Sequence, residues 1–308
     1  MENMIKMTDM TAEATKNEQQ KKARARRRKR LAQLIGRHIV IVLFAAFIVV
    51  PLYVVFITSF KTTVEANDTV FHWWPEQGFS LDGYIRIFTT NQVNRDLIRA
   101  FGVTLWMYVP SIAVGVFVSA MAAYSFAKMD FFLKKPIFAI LISALTLPNS
   151  IGMIAAVIMY NSLGWMGTPL PLMVPRLMGS IGIVFFLRQF FMGLPNELND
   201  AARVDGLGDY GIFLRIALPL SKPALGAQFI LVFISAYNDY LGPLYYLIGN
   251  PELYPLQLSL SYWRTESNPD WSVLMAGAMV ATVPMLCLYL LSQKFILKGV
   301  AITSGLKG

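Results

Sequence analysis

The sequence predicts an all-α integral membrane protein with six transmembrane helices and both termini in the cytoplasm. Three observations predict it. Of 308 residues, 56% are hydrophobic and 15% charged, against about 25% charged in ordinary soluble domains. The apolar residues are gathered into long uncharged blocks, each near the ~20 residues that a helix needs to cross a bilayer core about 30 Å thick. Lys and Arg fall mostly in the segments that an even number of crossings leaves on one side, as cytoplasmic loops require.

The N-terminal element, residues 1–34, is a basic and disordered cytoplasmic tail. Its densest stretch runs from Lys21 to Arg30. A basic run this close to a membrane span sets orientation and meets anionic lipid, so we read it that way and not as a nucleic-acid patch. The uncharged run Ile39–Phe60 is 22 residues long, beyond the 7–15 of a cleaved signal peptide. It is an uncleaved first span.

The remaining spans follow from the same search. Phe101–Ala127 is the second. Between Pro136 and Pro175 the chain runs 40 residues without a charge, enough for a third span over about 137–160 and a fourth over about 169–187, with Asn161–Pro169 as the turn. The fourth contains Arg176. The fifth, about 223–249, contains Asp239, and the sixth, about 272–293, is uncharged. With the N-terminus inside, the outer face holds Lys61, Arg86, Arg95, Arg99 and Arg264, Arg176 stays in the membrane, and the other 21 of the 27 Lys and Arg lie inside.

No catalytic constellation is present. His38 and His72 flank the first span on opposite sides, and no Lys followed by Ser or Thr has the glycines of a phosphate-binding loop. Gly206, Gly208 and Gly211 match a dinucleotide spacing, but the preceding segment has helical composition where that fingerprint requires a strand. One cysteine, Cys287, and two histidines leave neither a disulfide nor a Cys/His metal cluster. We therefore expect no catalytic residue, no metal and no cofactor.

The segment from Arg188 to Lys222 is the most informative. Pro195 and Glu197 suit a helix start, the small pair Ala201-Ala202 permits close approach of another backbone, Gly206 and Gly208 permit a sharp turn, and Ile212, Phe213, Ile216 and Leu218 form a short second apolar stripe before Pro219. The expected shape is helix, tight turn, helix. A solvated connector and a docking element both fit this composition.

Here the chain resembles a known family. Arg188-Gln189-Phe190-Phe191 with Leu194-Pro195, then Asp200-Ala201-Ala202-Arg203-Val204-Asp205-Gly206, then Leu218-Pro219 and Pro223-Ala224-Leu225 resemble the EAA loop of binding-protein-dependent ABC importer permeases, with Asp200 where the family has Glu. Ala122–Ala127, Tyr237–Leu244, Gln293–Val300 and Gly305–Gly308 resemble the carbohydrate-uptake branch, on the side of the second, six-span permease of a maltose-type pair. Where the family more often has Trp, this chain has Tyr237. Resemblance covers residues 35–308.

The resemblance implies a permease subunit of an ATP-driven importer in the cytoplasmic membrane of a prokaryote, carrying a sugar or oligosaccharide. It implies a second permease subunit, two ATP-binding subunits and an extracytoplasmic solute-binding protein as partners, with membrane lipid and without nucleic acid. Glu197, Asp200, Ala201, Ala202, Asp205, Gly206 and Pro219 would couple it to the ATPase through a cytoplasmic helix between spans four and five. A non-sugar solute is one alternative. A secondary transporter is another, although it calls for internal repeats and several ionisable residues at mid-membrane.

Ionisable residues inside a membrane are costly, about 2.5–3.5 kcal/mol at mid-span on insertion scales. Asn149, Asn238 and Asp239 are the expected solute-pathway residues, with Tyr237, Tyr240, Tyr245 or Tyr246 as stacking faces. Arg176 joins them as an intramembrane charge. Equally, these groups would serve to hold helices together, or Arg176 would extend to the outer surface. In the outer loop, Trp73 and Trp74 suit interfacial anchoring or contact with the solute-binding protein.

Overall fold

A computed structural model of the chain describes residues 33–146, 148–264 and 270–305, with side chains except at 149–151 and 294–305. The basic tail over 1–32, residues 306–308, and the side chains of Asn149 and of most of the C-terminal motif therefore lie outside what is described. Two units are distinguished, divided between Ile57 and Thr58. No strand occurs among the described residues.

The first unit contributes one helix, α1 (Gln33–Thr58), with a mean hydropathy of 3.1 in its most apolar stretch. Its described part takes in the six residues before the uncharged block, because helical hydrogen bonding needs no apolar residues and continues through the polar flank.

The second unit opens with a short helix, α2 (Thr63–Ala66), then α3 (Asp82–Thr89) and a 3₁₀ turn. Buried Lys61 lies 3.7 Å from Glu65 and donates to the His72 carbonyl at 2.5 Å. Asp270 accepts from Thr63 at 2.7 Å and from Ser272, and pairs with Arg86. Charges are paired where they leave water, as burial requires.

Next comes α4 (Leu97–Lys128), started by Asp96, whose carboxylate accepts the Arg99 N–H as an N-cap. Its buried residues Thr104, Tyr108, Ile112, Val116, Ala120 and Tyr124 recur every four positions, with Ala100, Gly115, Ser119 and Ala123 beside them. Such a stripe buries one face, and its small members let neighbouring backbones come close. α4 packs against the three helices α7 (Leu170–Leu177), α8 (Ile181–Met192) and α12 (Lys222–Tyr237), and the last helix, α15 (Trp271–Gly305), packs on α12 and α3.

Between α4 and α7 lie α5 (Lys134–Ala144) and α6 (Asn149–Ser162). The third crossing expected as one helix over 137–160 is thus two helices. Pro148 stands at the N-cap of α6, and a proline has no N–H with which to continue the preceding ladder.

After α8 the chain forms α9 (Asn196–Val204), α10 (Asp209–Ile212), a π-helical turn over Phe213–Ala217 and α11 (Leu218–Leu220). The run Asp209–Leu220 meets α12 at a bend of 74° at Ser221, where Pro223 supplies no N–H to bridge the corner. The fifth expected crossing, 223–249, is also interrupted. α12 ends where the Asn238 side chain donates to the Ile234 carbonyl at 2.9 Å, and α13 (Leu241–Tyr246) follows, then a 3₁₀ turn and α14 (Leu256–Ser261). Among the described residues, four helical stretches suffice by length and composition to cross a membrane, Gln33–Thr58, Leu97–Lys128, Leu170–Met192 and Trp271–Gln293, with a fifth if the bent pair counts as one.

Candidate functional site

Two regions of the second unit carry chemistry. The first is the bent element after α8. Gly206 has φ +83°; its N–H bonds the Arg203 carbonyl at 3.0 Å and the Leu207 N–H bonds the Ala202 carbonyl at 2.9 Å. This is a Schellman helix end, and it turns the chain where the sequence placed a tight turn. Arg203 then pairs with Asp209 at 3.0 Å across the turn.

The element is fastened to the helical core at both ends. Lys128, at the end of α4, donates to the Leu194 carbonyl and to Asn196, each at 2.6 Å. Phe213 is buried against Tyr124 and Phe117 of α4 and Phe191 of α8, with ring centroids 5.4, 6.0 and 6.5 Å away. Of the residues the sequence singled out, Glu197, Asp200, Ala201, Asp205, Gly206 and Pro219 are exposed, while Ala202 is buried in the chain's own core. The small pair is therefore divided: Ala202 faces inward and Ala201 outward. Val204 is 88% exposed beside it, an apolar residue that the sequence reading did not single out.

The second region is a cleft of about 830 Å³ between α4, α6, α7, α12 and α13. Its charged liners are Arg176 and Asp239, with side chains 23% and 29% exposed and Nη2 3.5 Å from Oδ2. Arg176 Nη1 donates to the Leu172 carbonyl, and the guanidinium carbon lies 4.6 Å from the centre of the Tyr108 ring, a cation–π contact. Asp239 Oδ1 accepts the Gly242 N–H at 3.1 Å. Ring contacts close one end: Tyr160 stacks on Trp165 and meets Tyr246 edge-on at 5.3 Å, while the Gly167 N–H bonds the Tyr246 carbonyl at 2.7 Å.

α7 and α8 are set on α4 by a seam of small residues. A Cβ at Gly115 would lie 2.0 Å from the Arg176 carbonyl oxygen, and one at Gly179, where φ is +85°, would lie 2.5 Å from Ser119 Oγ. Ser119 Oγ accepts the Ser180 N–H at 3.0 Å. Helix backbones approach this closely only at glycine.

Of the expected pathway residues, Asp239 lines the cleft. Tyr237 stands apart, 2% exposed, and its hydroxyl donates to the Ala281 carbonyl of α15 at 2.7 Å. Asn238 is exposed and accepts weakly from Gln257 at 3.4 Å. Reading residues singly missed the Arg176–Asp239 pairing, 63 positions apart in sequence. Its signal was there: opposite charges alone in apolar segments lower each other's cost.

Residues 91–301 match the family described as binding-protein-dependent transport system inner membrane component. The chain belongs to that family. It is a membrane-embedded component of a transport system, and among its relatives is the arabinooligosaccharides transport system permease protein AraQ of Halalkalibacterium halodurans, 32% identical over 86% of this chain and 94% of that one. The polygalacturonan/rhamnogalacturonan transport system permease protein YtcP of Bacillus subtilis is 29% identical over 87% and 96%. The crystal structure of a bacterial ABC transporter that imports the acidic polysaccharide alginate contains a chain that superposes with a TM-score of 0.74 at 19% identity, covering 84% of this permease and 95% of its own length. That likeness is one of fold.

Proposed function

We propose that this permease forms half of the membrane pathway of an ATP-driven saccharide importer and couples a partner ATPase to that pathway through the bent element over 196–220. In this reading it pairs with a second permease, two ATP-binding subunits hydrolyse ATP, and an extracytoplasmic solute-binding protein delivers solute. Residues 35–308 form the transmembrane part, crossing six times with both termini in the cytoplasm. The broken helices α5–α6 and α12–α13 then supply the third and fifth crossings, since non-helical backbone is tolerated at membrane depth where it borders protein or a cavity.

One observation carries the coupling role. An element with exposed acidic residues, Glu197 and Asp200 on α9 and Asp205 just after it, is fastened to α4 by Lys128 at one end and by Phe213 in an aromatic cluster at the other. Force applied to α9 by a partner reaches the membrane helices as a rigid-body movement. The saccharide class comes from the relatives' names, of which AraQ is one. The test is reconstitution of the complete importer in proteoliposomes with a panel of radiolabelled saccharides. ATP-dependent uptake of a saccharide is expected; ATP hydrolysis with no saccharide moved, or uptake by this chain alone without ATP, overturns the reading.

A further inference from the structure

We infer that the cleft at Arg176 and Asp239 is a subsite for an uncharged saccharide held through a vicinal diol, and that it discriminates against uronates. This rests on the saccharide reading above and narrows it to a class.

The charge balance is the first ground. The two charged liners cancel, so the cleft attracts no net charge. A uronate carboxylate would compete with Asp239 for one guanidinium and leave a second negative charge a few ångströms away, in surroundings that screen it poorly. A neutral diol meets no such penalty.

Geometry is the second. At 3.5 Å, Nη2 and Oδ2 are beyond the ~2.9 Å of a good N–H···O bond, yet each group is independently oriented: Arg176 by the Leu172 carbonyl, Asp239 by the Gly242 N–H. Both keep unused capacity on the sides that face each other. One sugar hydroxyl donates to Asp239 Oδ2 while its neighbour accepts from Arg176 Nη2, so a diol bridges the pair without separating the charges. Tyr108, fully buried behind the cleft wall, holds the guanidinium in place through its ring, 4.6 Å from the Arg176 guanidinium carbon.

Shape is the third. A volume of about 830 Å³ lies within the roughly 300–1,000 Å³ of small-molecule sites. Half-buried Tyr246 on its wall, backed by Tyr160, offers a ring to the C–H face of a pyranose or furanose.

The experiment is equilibrium binding to the intact importer in lipid nanodiscs, without the solute-binding protein, so that the cleft is read directly. The probes are radiolabelled arabinotriose, maltotriose and raffinose as neutral sugars and trigalacturonate as the acid. Saturable binding of at least one neutral probe, with trigalacturonate at least tenfold weaker, is expected. D239N should weaken the neutral probe at least tenfold and narrow or invert its advantage over trigalacturonate. R176Q should weaken the neutral probe at least tenfold. Size-exclusion chromatography of each variant complex checks assembly, and Gly102→Ala, at an exposed glycine with no atoms near its Cβ position, serves as the control variant that should bind as wild type. Wild-type binding of trigalacturonate as tight as any neutral probe, no saturable neutral binding, or a preference unmoved in assembled D239N would overturn the subsite. Those results leave saccharide uptake by the complete system intact, whereas failure of that uptake sinks the broader reading whichever way the binding data fall.

Discussion

The carbonyl oxygen of Arg176 occupies the place where a side chain at Gly115 would begin, 2.0 Å from the ideal Cβ position. Backbone meets backbone at that point, so α7 cannot yield by a rotamer change. The contact sets where the Arg176 guanidinium emerges, above the Tyr108 ring and toward Asp239.

Gly115→Val should therefore separate α4 from α7. Overpacking of this kind typically costs about 1–3 kcal/mol. We expect a lower thermal midpoint of the assembled complex and loss of saccharide binding at the cleft, while Gly102→Val, at a glycine with no atoms near its Cβ position, leaves both unchanged. Equal behaviour of the two variants would show that the close approach is not needed.

Tyr237 separates a structural role from a pathway role. Its hydroxyl is used on the Ala281 carbonyl, and such bonds contribute about 1 kcal/mol, or nearer 0.6 between membrane helices. Tyr237→Phe should lower stability by about that amount without changing the affinity for solute. A tenfold loss of affinity at unchanged stability would place Tyr237 in the pathway after all.

Gly206→Pro attacks the coupling element. Proline fixes φ near −65°, whereas Gly206 sits at +83° and gives its N–H to Arg203. The variant should insert in the membrane and lose solute-stimulated ATP hydrolysis in the complete complex. Wild-type stimulation would remove the coupling role from this turn.

The clamp at Asp270 gives a pH prediction. Burial pushes the Asp270 carboxyl up, but hydrogen bonds from Ser272 and Thr63 and the charge of Arg86 outweigh it and hold it below its usual value. A depressed folded-state pKa gives stability that is present above about pH 4 and fades as the pH falls through the lower folded value. Wild-type thermal stability should drop across that acid window, and Asp270→Asn should start lower at neutral pH and respond less. Parallel curves for the two proteins would count against the clamp.

Much of this was legible in the sequence, and for identifiable reasons. Insertion into a bilayer is decided by local apolar length, so Ile39–Phe60 and Ser272–Gln293 announced helices α1 and α15 without reference to any partner. The turn at Gly206 was likewise local, since few residues other than glycine accept its φ. Tertiary structure decided the rest. Whether Pro148 and Asn238 merely bend a helix or break it depends on what replaces the missing backbone bonds. Ala201 and Ala202 are the same residue type, and packing alone sends one outward and the other into the core. Arg176 and Asp239 each looked like an isolated charge in an apolar segment; only the fold, by laying α7 against α4 at Gly115 and ending α12 at Asn238, brings them onto one wall, because electrostatic pairing depends on distance in space and a sequence records only distance along the chain.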